Sequence, residues 1–253
     1  MDGLALVGLA AAAAAAGAIN AIAGGGTLVS FPSLLAAGYS ARVANVTSTV
    51  AIWPGTVGGS LAYRRELGAR RDRLARLSLP SIAGAAVGAI LLLVTSDRLF
   101  DAVVPFLVLF ASMVLVMNSR LSRLAARVGI GAHPDGHLPA GLYASMFVNG
   151  IYGGYFGAGL GILTLAAIAI LAPDDMQHSN AVKGMLALII NSVAVVIFVA
   201  SGLVEWGPAL VMAVCAIAGG YAGVSLARRL SAQVLRNLIV VWGVTMSVIL
   251  FVT

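Results

Sequence analysis

The chain repeats itself. Ala18–Thr49, AINAIAGGGTLVSFPSLLAAGYSARVANVTST, returns in altered form at Gly153–Gly184, GGYFGAGLGILTLAAIAILAPDDMQHSNAVKG, and laying residue i on residue i+135 needs no gap. At that offset Gly24 falls on Gly159, Gly26 on Gly161, Leu28 on Leu163 and Asn45 on Asn180. The same register carries Ile82, Ala83, Gly84 and Gly88 onto Ile217, Ala218, Gly219 and Gly223, and Ser112 and Leu115 onto Ser247 and Leu250. The sequence therefore reads as two copies of one unit, 1–118 and 136–253, joined by a polar linker at 119–135.

Such a unit has no place in water. Hydrophobic residues make up 60% of the chain and charged residues 9%, with a mean hydropathy of +1.02, which is the composition of an integral membrane protein. Long apolar runs between short polar ones suit helices, which satisfy their own backbone hydrogen bonds in lipid, and the apolar-polar alternation of a barrel is absent. The expected fold is an all-α polytopic membrane protein. Cys215 stands alone, so neither an intrachain disulfide nor a thiolate metal cluster is available, and it reads as a small buried hydrophobe. The N-terminus, MDGLALVGLAAAAAAAGAIN, has the apolar centre of a secretory signal but carries Asp2 where such a signal is basic. It is read as the first membrane segment.

Five hydrophobic elements are expected in each copy. The first gives Leu4–Ala23, a short Thr27–Ala37, Val43–Ala62, Leu77–Thr95 and Leu99–Met117; the second gives Leu138–Phe156, a short Ile162–Ala172, His178–Ser201, Gly207–Leu226 and Val234–Val252. The second element of each falls well short of the roughly 20 residues that cross the hydrocarbon, and it follows directly on glycines.

Charge placement sets the expected topology. Arg64, Arg65, Arg70, Arg71, Arg73 and Arg76 lie between the third and fourth elements, Arg120, Arg123 and Arg127 lie in the linker, and Arg228, Arg229 and Arg236 lie between the ninth and tenth or at the start of the tenth. Short arginine-rich loops stay cytoplasmic, and all three clusters fall on one side only if each copy makes an odd number of crossings. The two copies are then inverted repeats, the linker is cytoplasmic, and both chain ends face outward. Secondary transporters built this way hold substrate where the repeats meet. The net charge of +6 and pI near 10.1 need no nucleic-acid partner, because the arginines abut membrane segments and meet anionic lipid head groups.

The glycines Gly24, Gly25, Gly26 and Gly157, Gly159, Gly161 precede the short elements and are expected to break a helix inside the membrane. A helix starting there presents N–H groups and a positive dipole end that suit an anion, with Thr27 as N-cap or extra donor. Close helix packing is the rival reading, and it is preferred for the mid-span pairs Gly84/Gly88 and Gly219/Gly223, whose faces also suit a homodimer. Lys183 is the only lysine and lies within an apolar element. Asn180, Lys183 and Asn191 fall near one helical face, and their counterparts Asn45, Ser48 and Thr56 are also polar. Snorkelling to the head groups is the alternative for Lys183; the polar stripe in both copies favours a site. Arg42 is either a mouth residue that draws anions in or a plain loop arginine. Asn20, Asn149, Tyr152 and Tyr155, near the breaks, either line a cavity or bond between helices. His133 and His137, with Pro134 and Gly136 between them, make no helical metal pair, and no cofactor is expected.

GGGTLVSFPSLLAAGYSARVANVTS and its repeat GAGLGILTLAAIAILAPDDMQHSNAVKG resemble the duplicated signature of the TauE/SafE family, also called TSUP, over essentially the whole chain. The resemblance implies movement of sulfur-containing anions such as sulfite, thiosulfate and sulfoacetate-like organosulfonates, often outward. It also implies that Gly24, Gly25, Gly26, Asn45, Thr47 and Ser48 occupy the first signature and Gly157, Gly159, Gly161, Asn180 and Lys183 the second. Val182-Lys183 stands where Thr-Ser is usual, and the added charge bears on which anion is taken.

The expectation is a secondary transporter of small anions in the cytoplasmic membrane. A passive anion channel and a non-transporting scaffold or accessory subunit are the alternatives. An intramembrane enzyme is disfavoured because no catalytic set is recognisable.

Overall fold

A computed structural model describes residues 3–22, 25–62, 67–68, 71–128, 138–174, 176–227 and 232–252. Gly24, Arg64, Arg65, Arg70, Arg228, Arg229, His133, His137 and the last part of the linker lie outside these. Among the described residues the chain forms α1 (Gly3–Ile22), α2 (Thr27–Ala36), α3 (Ala41–Ala62), α4 (Arg71–Val94), α5 (Asp97–Val128), α6 (Ala140–Tyr155), α7 (Leu160–Leu171), α8 (Met176–Ser201), α9 (Trp206–Ala227) and α10 (Ala232–Val252).

Among the described residues, four helices are long and apolar enough to cross a membrane: Gly3–Asn20, Arg71–Val94, Asp97–Met117 and Gln177–Ser201. At 1.5 Å per residue, α2 spans about 15 Å and α7 about 18 Å, roughly half the hydrocarbon. The expected element Leu138–Phe156 is shorter too, because α6 covers 16 residues and ends at Tyr155. Two helices run longer than their apolar stretches. α4 begins six residues early at Arg71, and α5 continues through the first part of the linker to Val128. Both extensions are rich in arginine, leucine and alanine, good helix formers, and beyond Met117 α5 meets no glycine or proline before Gly129.

Helices at equivalent places in the two expected copies pack reciprocally. α1 lies on α9 as α6 lies on α4, and α3 lies on α9 as α8 lies on α4, while α5 meets α10 and α3 meets α8. Glycines make the closest approaches. A methyl group on Gly84 or Gly88 would strike the carbonyl of Phe147 or Ile151 on α6, and one on Gly17 or Gly219 would strike Ala216 or Ala14 across the α1–α9 contact. The expected packing role thus holds at Gly84, Gly88 and Gly219, and these faces are occupied inside the bundle.

Side-chain pairs fix the relative directions of the helices. α5 and α10 run antiparallel: Ser247 Oγ donates to Pro105 O at 2.9 Å, Gly243 sits on Ser112, and the Phe106 and Phe251 rings meet edge to face at 4.9 Å. α3 and α8 are also antiparallel, since Trp53 Nε1 donates to Ser192 Oγ at 2.9 Å while Thr47 Oγ1 accepts from Glu205 N, beyond the end of α8, at 3.1 Å. Leu79, Val94, Val196 and Val214 point outward and are more than two-thirds exposed. Such a surface suits lipid.

Candidate functional site

Both interruptions lie against one turn of α5. α1 ends at Ile22 and α2 begins at Thr27; Gly25 between them faces Leu115, whose side chain lies 3.7 Å from where a Cβ would stand. α6 ends at Tyr155, and Gly157 and Gly159 take φ of +78° and +76°, the left-handed region where glycine is favoured. A Cβ on Gly159 would lie 3.5 Å from Val114 and 3.7 Å from Ala111 O. The two breaks are further joined by Phe31 of α2, whose ring packs edge to face on Phe156 at 5.6 Å. The starts of α2 and α7 therefore converge on Ala111–Leu115.

Each helix start leaves N–H groups without an intrahelical acceptor. Turn bonds take some of them, Leu28 N to Gly25 O at 3.0 Å and Leu160 N to Gly157 O at 3.2 Å. No side chain caps either start, and Gly26, not Thr27, holds the N-cap position of α2. Thr27 is instead the first helical residue, buried.

On α8, Lys183 Nζ donates to Asn180 Oδ1 at 3.1 Å, and the lysine stem runs past Gly161, with Cδ 3.8 Å from where a Cβ would stand. Lys183 thus reaches toward the α7 start instead of away from it. One helical face further along, Asn191 Oδ1 lies 3.7 Å from the Cβ position of Gly157, while its Nδ2 donates to Ala187 O at 2.8 Å. On α3, Ser48 meets Ser30 of α2 at 2.6 Å, and Ser30 Oγ also donates to Gly26 O at 3.3 Å. Asn45 Nδ2 donates to Tyr155 O at 2.9 Å, capping the C-terminus of α6.

The structure so brings together Gly161 with Asn180 and Lys183, Gly157 with Asn191, and Gly26 with Ser48. Thr47 is set apart, its hydroxyl turned to the α8–α9 turn. Thr56 bonds within its own helix to Trp53 O at 2.7 Å. Tyr152 braces the second break by donating to Ala158 O at 2.6 Å. Arg42 serves as a clamp: it donates to Leu93 O and Thr95 O at the end of α4 and pairs with Asp97 at 2.8 Å. Ser30 was not singled out from the sequence; its one signal is a hydroxyl four residues after Gly26 in a short apolar helix.

An all-helical bundle of membrane-length helices, with two half-length helices whose starts converge on one turn of α5, defines a membrane transporter-like architecture. The sulfite exporter TauE/SafE family matches residues 9–250, and the chain belongs to that family. It is similar to a probable membrane transporter protein of Haemophilus influenzae, 25% identical over 90% of this chain and 88% of the relative. A probable membrane transporter protein of Escherichia coli, YfcA, is 26% identical over 92% of this chain and 84% of its own. Another, ORF9 of a Sinorhizobium species, is 25% identical over 94% and 88%. No solved structure matches.

Proposed function

We propose that this chain is a secondary transporter of small sulfur oxyanions or organosulfonates in the cytoplasmic membrane, working by alternating access between two inverted copies. The observation that carries the reading is the convergence of two uncapped helix starts on one turn of α5, with a single buried-side lysine beside one of them. Helix N-termini and an ammonium both favour negative charge, and in a low-dielectric interior each hydrogen bond to an anion gains strength. Family membership supports the class of cargo. The antiparallel contacts of α3 with α8 and α5 with α10, each pair being counterparts at the 135-residue offset, support the inverted arrangement. Rocking of one copy against the other would then expose the same site to each side in turn.

Flux of sulfite, thiosulfate, sulfate and sulfoacetate into proteoliposomes tests the reading. Concentrative or exchange-stimulated flux of at least one is expected. Absence of flux for all of them from pure protein would favour the scaffold alternative, and conductance far above carrier turnover would favour a channel.

A further inference from the structure

In the second copy, the Asn180 amide oxygen accepts from an ammonium three residues on, that of Lys183. The counterpart pair in the first copy is Asn45 and Ser48, and there the arrangement is incomplete. Asn45 is wholly buried, and its Nδ2 is committed to the carbonyl of Tyr155. A carbonyl accepts only from a donor, so this bond fixes which end of the amide is which and turns Oδ1 the other way. Among the described residues Oδ1 has no partner. Buried acceptors without a donor are rare enough that each calls for an occupant. Ser48 is not that occupant, since it is engaged with Ser30. Two further features favour positive charge here. Asn45 sits at the C-terminal end of α6, the negative end of that helix dipole. Ser48, one turn along α3 from Asn45, and Ser30 of α2, which it meets, add two buried hydroxyl oxygens.

We propose that Asn45 Oδ1 receives a small cation that the chain does not itself supply, an alkali-metal ion or a primary ammonium, in the place that Lys183 Nζ fills in the other copy. The inference goes beyond the anion reading: it adds a co-bound cation whose charge offsets that of an anion held nearby.

Thermal unfolding of the purified protein in detergent tests it, in sodium, potassium, methylammonium and choline chloride at equal ionic strength. Choline offers no N–H and is too large for a site between packed helices. A small cation at ten times its dissociation constant is expected to raise the midpoint by about 3–5 °C over choline. A shift with sodium or potassium alone identifies an alkali ion, and one with methylammonium alone identifies an ammonium. Ser48→Lys copies the second half by supplying the ammonium in the chain, and it should abolish the shift. Asn45→Asp keeps the size and adds charge, so it should enlarge the shift, and it decides the matter if Ser48→Lys does not fold. Identical midpoints in all four salts, or a shift that neither variant changes, overturns the proposal. Because the four salts share one anion, that result leaves the anion reading untouched.

Discussion

Arg73 Nη1 lies 3.1 Å from Asp174 Oδ2, with both side chains nearly buried, and the pair ties the start of α4 to the turn between α7 and α8. The bond joins the two copies on the side where α4 begins. Arg73 also donates to Ala172 O at the C-terminus of α7, so it caps a helix as well as pairing a charge. Asp174→Asn removes the charge but keeps the shape, weakening this pair. An expected cost of about 1–3 kcal/mol should lower the thermal midpoint in detergent, and Arg73→Ala should lower it at least as far. An unchanged midpoint in both would show that the pair does not hold the copies together.

Two glycines at equivalent positions of the breaks differ in what surrounds them. A Cβ on Gly26 would strike Ala16 O of α1, whereas one on Gly161 would find only the flexible stem of Lys183, 3.8 Å away. Gly26→Ala is therefore expected to destabilise by about 1–3 kcal/mol. Gly161→Ala should be neutral or stabilising by about 0.4–1 kcal/mol. Chemical or thermal unfolding of the two variants side by side reads the difference, and equal losses would contradict it.

The crossing of α4 on α6 leaves no room for side chains. Gly84 and Gly154 each face a backbone carbonyl of the other helix, so Gly84→Val or Gly154→Val should separate the pair and sharply lower the yield of folded protein. Fluorescence-detected size exclusion in detergent checks this; a monodisperse peak at wild-type yield for both variants would show that the crossing tolerates separation.

Lys183 lies beside the α7 start, so its loss should weaken anion binding more than it weakens the fold. Lys183→Gln keeps length and a donor. A hydrogen bond to a charged group contributes about 1.5–3 kcal/mol, which corresponds to a rise in KM for the transported anion of about tenfold or more. Proteoliposome flux with unaltered KM for every anion would remove Lys183 from the site.

The proposed inversion of the two copies makes a prediction about sidedness. In a Cys215→Ser background, Ser96→Cys, in the exposed turn between α4 and α5, should react with a membrane-impermeant thiol reagent from outside intact cells. Ser231→Cys, the counterpart of Ser96 at the 135-residue offset, should react only after permeabilisation. Labelling of both from the same side would defeat the inverted arrangement.

Element positions were largely readable before any coordinates, because a helix in lipid satisfies its own backbone bonds and its extent follows the local apolar run. α1, α2, α3 and α7 start and stop within two residues of their apolar stretches. α5 escaped that rule, since its polar continuation to Val128 depends on helix propensity and not on hydropathy. The candidate site was legible as a list and illegible as an arrangement. Asn45, Thr47 and Ser48 are near neighbours in sequence, yet they face the end of α6, the α8–α9 turn and α2 respectively.

The amino-acid order alone determined that this is an all-helical membrane chain interrupted at two glycine clusters, because those properties are set by residues close together. Tertiary structure decided what each glycine and amide is for. Gly26 is needed for the close approach of α1 while Gly161 is not, and the Asn45 amide is oriented by a carbonyl 110 residues away. Contacts of that range depend on which helices meet, and no local pattern records it.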